Sequence, residues 1–358
     1  MAVWIAIISD EPMNRRQFLT AAMAAPAFAA DVPLQGTGGI VLYPFDLSLT
    51  DWPDRAHKAG LTTIGLHAAR RFDVLRDFIL SDAGGKFLAR CAELGLAVEY
   101  ELHAMGELLS RELINKDPTL FRLDAAGNRN ADANCCPNSQ AALDIIAGKA
   151  VEWAKIFKPT TQRYFYWPDD GAQWCACPQC REFSASEQAL LVENRLLTAL
   201  RAHDSLATLA DISYSHTLAA PRRVKPVEGV FLEFAPIARN YAHSLADPDA
   251  GTNATQGPDP QTNRGYLEIL AANLEVFGAE RAQVLEYWLD VSLFSKWTRP
   301  AVKLPWNSVI CKEDVEAYRK LGIRNVTTFA TYVDADYVKL HGDPQSVLNE
   351  YGAALKTK

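Results

Sequence analysis

Asp169-Asp170-Gly171 follows directly on the apolar run Arg163–Trp167. Two other acids, Glu233 and Glu286, stand in runs of the same kind, Phe231-Leu232-Glu233-Phe234 and Val284-Leu285-Glu286-Tyr287. An acid flanked by apolar residues in a strand is either catalytic or tightly paired. Two carboxyls meeting at one cleft can cleave a glycosidic bond: one protonates the leaving oxygen, the other stabilises or attacks the cationic carbon. Asp170 is the candidate acid, with Glu233 and Glu286 competing as its partner. Around them fall groups suited to binding a sugar: His103, Trp167, Asp169, Tyr214, Arg239, His243, Tyr287, Trp288 and Asp290. Strand alternation puts Glu286, Trp288 and Asp290 on one face, where Trp288 can stack on a ring. The competing reading makes Asp-Asp-Gly a turn, His103 a structural hydrogen-bonder and Glu286 the buried partner of an arginine or lysine.

A second constellation is Cys175-Ala176-Cys177-Pro178-Gln179-Cys180. Three thiols in six residues suit a tetrahedral zinc held by thiolates, with Cys136 or Cys135 as the fourth ligand. Such sites are closed and structural. The alternative is disulfides, although the total of seven cysteines is odd and cannot pair completely within one chain. Cys91 and Cys311 lie in helical patterns and read as buried thiols.

Eight strand-like runs can position these groups: 39–43, 62–66, 97–102, 163–167, 208–214, 230–234, 283–288 and 325–329. Amphipathic stretches alternate with them, as at 141–157, 187–203, 266–277 and 312–321. The pattern predicts a (β/α)8 TIM barrel, an α/β fold in one domain spanning residues 30–358. Its fifth unit is weak, because only residues 217–229 separate two strands. Candidate residues then gather at the C-terminal ends of strands, where barrels of this type bind substrates. The polar stretch 246–264 reads as a long loop on the same face.

The first 29 residues carry an address instead. From Met13, Asn14-Arg15-Arg16-Gln17-Phe18-Leu19 and an alanine-rich apolar run form a twin-arginine signal peptide. Ala27-Phe28-Ala29 supplies a cleavage site, and residues 1–12 precede the signal. The expected partners are the twin-arginine export machinery and a carbohydrate, and the expected location is periplasmic or extracellular. A net charge of −7 over 358 residues argues against nucleic acid, and no run after the signal is long enough to span a membrane.

The ordered set Glu101-Leu102-His103, Leu108-Leu109-Ser110-Arg111, Pro118–Arg122, Gly127-Asn128-Arg129 and Cys136-Pro137-Asn138 resembles a bacterial family. The set continues through Asp170-Gly171, the three-cysteine loop, Asn194, Tyr214 with Thr217, Ala235-Pro236-Ile237 with Arg239 and His243, and Glu286-Tyr287. That family is labelled domain of unknown function 4838 and is associated with glycoside hydrolase family 163. The resemblance implies a TIM barrel and endo-β-N-acetylglucosaminidase activity on N-glycans. It also implies a retaining mechanism in which the substrate's acetamido group acts as nucleophile, with Asp170 and a Glu sharing acetamide orientation and leaving-group protonation. The cysteine loop is also similar to the zinc loop of family 42 β-galactosidases, which supports zinc as a structural cofactor. The expected function is thus an exported glycoside hydrolase acting on β-linked, N-acetylhexosamine-containing glycans. The alternatives are a non-catalytic carbohydrate-binding barrel and a metal-dependent exported hydrolase.

Overall fold

A computed structural model of the protein describes residues 36–254 and 257–356. The twin-arginine segment and its cleavage site lie outside the described residues. Gly36–Lys358 forms one compact unit. Within it, eight parallel strands close into a barrel: Gly38–Leu42, Thr63–Ala68, Ala97–His103, Arg163–Trp167, Thr208–Ser213, Val230–Phe234, Gln283–Glu286 and Asn325–Phe329. They are numbered one to eight here. Strand one closes the ring by pairing with strand eight, Gly39 facing Thr327 and Val41 facing Phe329.

The helices form the outer layer, as right-handed crossovers between parallel strands require. Their starts are written locally. Ser184 and Glu187 form a reciprocal capping box ahead of Ala185–His203, while Ser139, Thr262 and Asn307 each cap a helix with a side-chain oxygen. The weak fifth crossover has no α-helix, only the short 3-10 turn Ser215–Thr217 between strands five and six.

Side-chain parity divides the apolar residues into two cores. Val41, Phe165, Ala210, Ile212, Phe231, Leu285 and Phe329 point into the barrel. Ile64, Leu66, Leu209, Leu232, Val284 and Trp288 pack outward among the helices. The barrel interior also holds polar groups: Arg163 bonds Glu99 and Gln283, and Gln283 donates to Glu233 at 2.8 Å. The lining of the upper end is therefore fixed by which residue parity faces inward on each strand.

Candidate active site at the barrel mouth

A cavity of about 320 Å³ opens at the C-terminal end of the strands. Strand one leads into Tyr43, strand two contributes His67, strand three His103 and strand four Trp167, all lining it. Asp170, Tyr214, Ile237, Tyr287, Asp290 and Thr331 come from residues just beyond the strands, and Phe45, Trp297 and Tyr332 from the rim. Aromatic walls with a few aimed polar groups are what a sugar site needs: CH-rich ring faces meet π surfaces while hydroxyls find partners.

Among the described residues two carboxyls face this cavity, Asp170 and Asp290. Tyr214 donates its phenolic hydrogen to Asp170 Oδ1 at 2.9 Å. Asp290 caps the short helix Val291–Phe294, accepting from the Leu293 amide, and the Ser292 hydroxyl donates to it at 2.5 Å. Burial pushes its carboxyl up to about 6, against the pull of those bonds. A carboxyl poised there is half protonated at about pH 6 and still about one-tenth protonated at pH 7, far more than an ordinary aspartate, as suits a general acid.

Asp169, next in sequence to Asp170, is turned to a structural task. Its carboxylate accepts from Arg111 and from the Asn134 amide, and its own amide donates to Asn134 Oδ1. Asp169 thus anchors the turn that presents Asp170. His103 lines the cavity and directs Nδ1 at the Pro168 carbonyl, 2.6 Å away. A carbonyl can only accept, so Nδ1 carries the proton and Nε2 is left free of that bond. His67, fully buried beside it, is held neutral by desolvation.

The structure does not bring every candidate together. Glu233 faces inward, is fully buried and lies outside the cavity lining. It accepts from Trp167 Nε1 at 2.8 Å and from Gln283, and so supports the indole that does line the cavity. Burial raises its carboxyl to about 8. Glu286 and Trp288 do share a face, but the outer one. Glu286 accepts from Arg239 at 2.9 Å and from the Tyr318 hydroxyl, while Trp288 donates to Asp314 at 3.0 Å. Arg239 bridges Glu286 and Asp314 in a buried cluster, and no member of it reaches the cavity. The cause is parity: Gln283, Leu285 and Tyr287 take the inward positions, and strand seven ends at Glu286. Asp290 lies beyond the strand, where alternation no longer applies, and returns to the mouth. His243 is half exposed, pairs with Asp247 and lies apart from the cavity lining. The stretch 246–264 folds back through a Gly251–Thr262 bridge, and none of its described residues lines the cavity.

Tyr43, Phe45, His67, Trp297 and Tyr332 were not among the sequence candidates. Tyr43, His67 and Tyr332 sit at or just past the ends of strands one, two and eight. Applying the strand-end rule to all eight strands finds them.

The four cysteines of the second constellation do converge. The Sγ atoms of Cys136, Cys175, Cys177 and Cys180 all lie within 4.8 Å of one another and are buried. Cys136 is 3.9 Å from Cys177 and 3.8 Å from Cys180. Those separations are far too long for disulfides. A tetrahedral zinc with Zn–S bonds of about 2.3 Å sets its sulfurs about 3.8 Å apart, so the donor set fits the metal. The Leu123 amide donates to Cys175 Sγ, and Gln188 ties the loop down by accepting from the Cys175 amide and donating to the Cys175 and Cys180 carbonyls. Cys135 is buried in the main hydrophobic core, apart from this cluster.

The fold and the mouth together define a (β/α)8 barrel with a carboxylate-and-aromatic cavity at its C-terminal face. Residues 87–262, just under half of the chain, match the family model described as Domain of unknown function (DUF4838). No curated protein matches the chain. Among solved structures it is similar to a β-N-acetylhexosaminidase from Bacteroides fragilis, with TM-score 0.51 and 12% identity over 89% of this chain and 65% of that one. It is likewise similar to Gan42B, a GH42 β-galactosidase from G. stearothermophilus, with TM-score 0.51 and 12% identity over 89% of this chain and 56% of that one. The chain therefore spans less than two thirds of the length of either enzyme. At this identity the likeness is one of barrel fold.

Proposed function

We propose that the protein is a glycoside hydrolase acting on β-linked, N-acetylhexosamine-containing glycans. The observation that carries this reading is the pair Asp170 and Asp290, both facing one aromatic-lined cavity at the barrel mouth. The barrel fold shared with a hexosaminidase agrees with a glycosidase, and the motif resemblance to the family associated with glycoside hydrolase family 163 suggests the substrate class. Asp290, raised to about 6, donates its proton to the leaving oxygen as the glycosidic bond breaks. Asp170, held by Tyr214, accepts the acetamide N–H, so that the acetamide oxygen attacks the anomeric carbon and closes a ring. Water then opens that ring at the same carbon, returning its proton to Asp290 and leaving the configuration retained.

The test is turnover by the purified protein on aryl β-glycosides and N-glycans, with Asp170→Asn and Asp290→Asn alongside. Loss of turnover in both variants with binding retained supports the assignment. A wild-type protein that binds sugars and cleaves none is a carbohydrate-binding barrel instead.

We also propose that Cys136, Cys175, Cys177 and Cys180 hold a structural zinc. All four positions are protein thiolates, so the ion offers no open position for substrate and supplies cross-linking only. Metal analysis of the purified protein should find about one zinc per chain. Export by the twin-arginine route completes the proposal. Replacing Arg15 and Arg16 by lysine should keep the protein in the cytoplasm, and unchanged export would refute it.

A further inference from the structure

The cavity has a rim whose construction the carboxylate pair does not explain. Trp297 is 63% exposed and Phe45 46% exposed, yet both border the cavity. Large exposed aromatics grouped at a cleft mark a binding surface. The backbone beneath them is strained: Lys296, Trp297 and Tyr332 have φ of 52°, 53° and 69°, a left-handed conformation that bulky side chains rarely adopt.

Specific bonds hold that conformation. The Trp297 amide donates to the Ser292 carbonyl at 2.7 Å, and the Tyr332 hydroxyl donates to the Trp297 carbonyl. The Tyr332 amide donates to Asp46 at 2.8 Å. Arg299, paired with Asp334, lies 4.1 Å from the Tyr332 ring centroid and 5.8 Å from that of Phe45. Phe45 in turn stacks on Tyr43, at 5.1 Å and 14°, and Tyr43 lines the cavity. The rim is thus continuous with the cavity wall and fixed before any ligand arrives.

At about 320 Å³ the cavity stands at the lower end of the range for ligand sites, roughly 300–1,000 Å³, and takes little more than one sugar ring. Resting on the glycosidase reading above, we infer that Phe45, Trp297 and Tyr332 form a second sugar subsite. It seats the residue adjoining the one in the cavity, making the protein selective for oligosaccharides over single sugars. A ring leaving the cavity on this side meets an aromatic face already held in place, so stacking costs little ordering.

Calorimetric titration with chitotetraose and with N-acetylglucosamine, in an Asp290→Asn background that prevents cleavage, tests this. The preference for the tetramer over the monomer should fall about tenfold in Trp297→Ala and also fall in Phe45→Ala. Both side chains are well exposed, and the thermal midpoint reports that the variants fold. An unchanged preference overturns the second subsite. If the wild type cleaves aryl N-acetyl-β-glucosaminides while that preference is unchanged, the subsite falls and the glycosidase reading stands. If neither sugar binds and the wild type cleaves nothing, both fall together.

Discussion

The Tyr214 phenol and the Asp170 carboxylate meet at 2.9 Å on the wall of the mouth cavity, the tyrosine donating. The bond occupies Oδ1 and leaves Oδ2 free of it, so the tyrosine fixes the orientation of the second oxygen. Tyr214→Phe keeps the ring and removes only this restraint. It should lower kcat about tenfold to a hundredfold with little change in KM, whereas Asp170→Asn should cost about a thousandfold or more. Initial-rate kinetics on an aryl N-acetyl-β-glucosaminide separate the two. A Tyr214→Phe enzyme with wild-type kcat would remove the orienting role.

Asp290 sets the pH dependence. Its folded-state value of about 6 means that the protonated acid is depleted as pH rises through that point. Accordingly kcat/KM should decline on the alkaline side with an apparent pKa near 6. Asp290→Asn should abolish that limb, and a leaving group that needs no proton should restore much of its rate. A profile flat from pH 5 to 8 would exclude Asp290 as the proton donor.

The barrel interior predicts how stability responds to pH. Glu99, Glu101 and Glu233 share it with one guanidinium, Arg163, and neither Glu101 carboxyl oxygen has a hydrogen-bond partner. Burial raises Glu101 well above its ordinary value and Glu233 to about 8. A raised folded-state value means that the unfolded chain ionises first. The favourable contribution is complete below the ordinary value of 4.5 and is lost as pH climbs toward 8. The thermal midpoint should therefore fall between pH 5 and pH 8. Glu101→Gln, which cannot ionise, should flatten that fall and raise the midpoint at pH 8. A midpoint rising with pH in both proteins would contradict this electrostatic account.

Strand order and helix alternation were legible in the sequence because each strand is a short β-branched or aromatic run bounded by turns. Arg163–Trp167, Val230–Phe234 and Asn325–Phe329 coincide with the observed strands, and the missing helix of the fifth crossover shows as a shortage of residues. Parity was not legible. Strand seven is buried on both faces, so apolar alternation does not say which face looks inward. One choice sends Glu286 into the cavity; the barrel takes the other and sends it to Arg239. Asp290 and Trp297 owe their positions to turns after the strand, beyond the reach of any periodicity.

That parity makes Glu286 a test of its own. Its carboxylate and that of Asp314 flank Arg239, all three fully buried, with Tyr318 closing the cluster. Truncating Glu286 leaves the Arg239–Asp314 pair but takes a buried acceptor from both Arg239 and the Tyr318 hydroxyl, at a cost of about 1–3 kcal/mol for each donor left unmet. Glu286→Ala should therefore unfold at much lower denaturant. Glu286→Gln, which keeps an acceptor for Arg239, should lose less and, once folded, retain kcat within a few-fold. A folded Glu286→Gln protein without turnover would restore this residue as a catalytic candidate.

Asn134 links the cysteine cluster to the turn that carries Asp170. This residue adopts φ of 44°, two positions before Cys136, and exchanges bonds with Asp169 in both directions. Its side-chain amide also donates to the Gln173 carbonyl, on the approach to Cys175. The cysteine cluster thus fixes Asn134, Asn134 fixes Asp169, and Asp169 precedes Asp170. Removing the metal, or replacing Cys180 by serine, should lower the thermal midpoint and activity together, since both loops lose their anchor. Asn134→Ala should separate the two effects. It keeps all four thiolates, so zinc content should stay at about one per chain while kcat falls about tenfold through the loosened Asp169 turn. Metal analysis and kinetics on one preparation decide it: full zinc with wild-type kcat would break the proposed link between the cysteine cluster and Asp170.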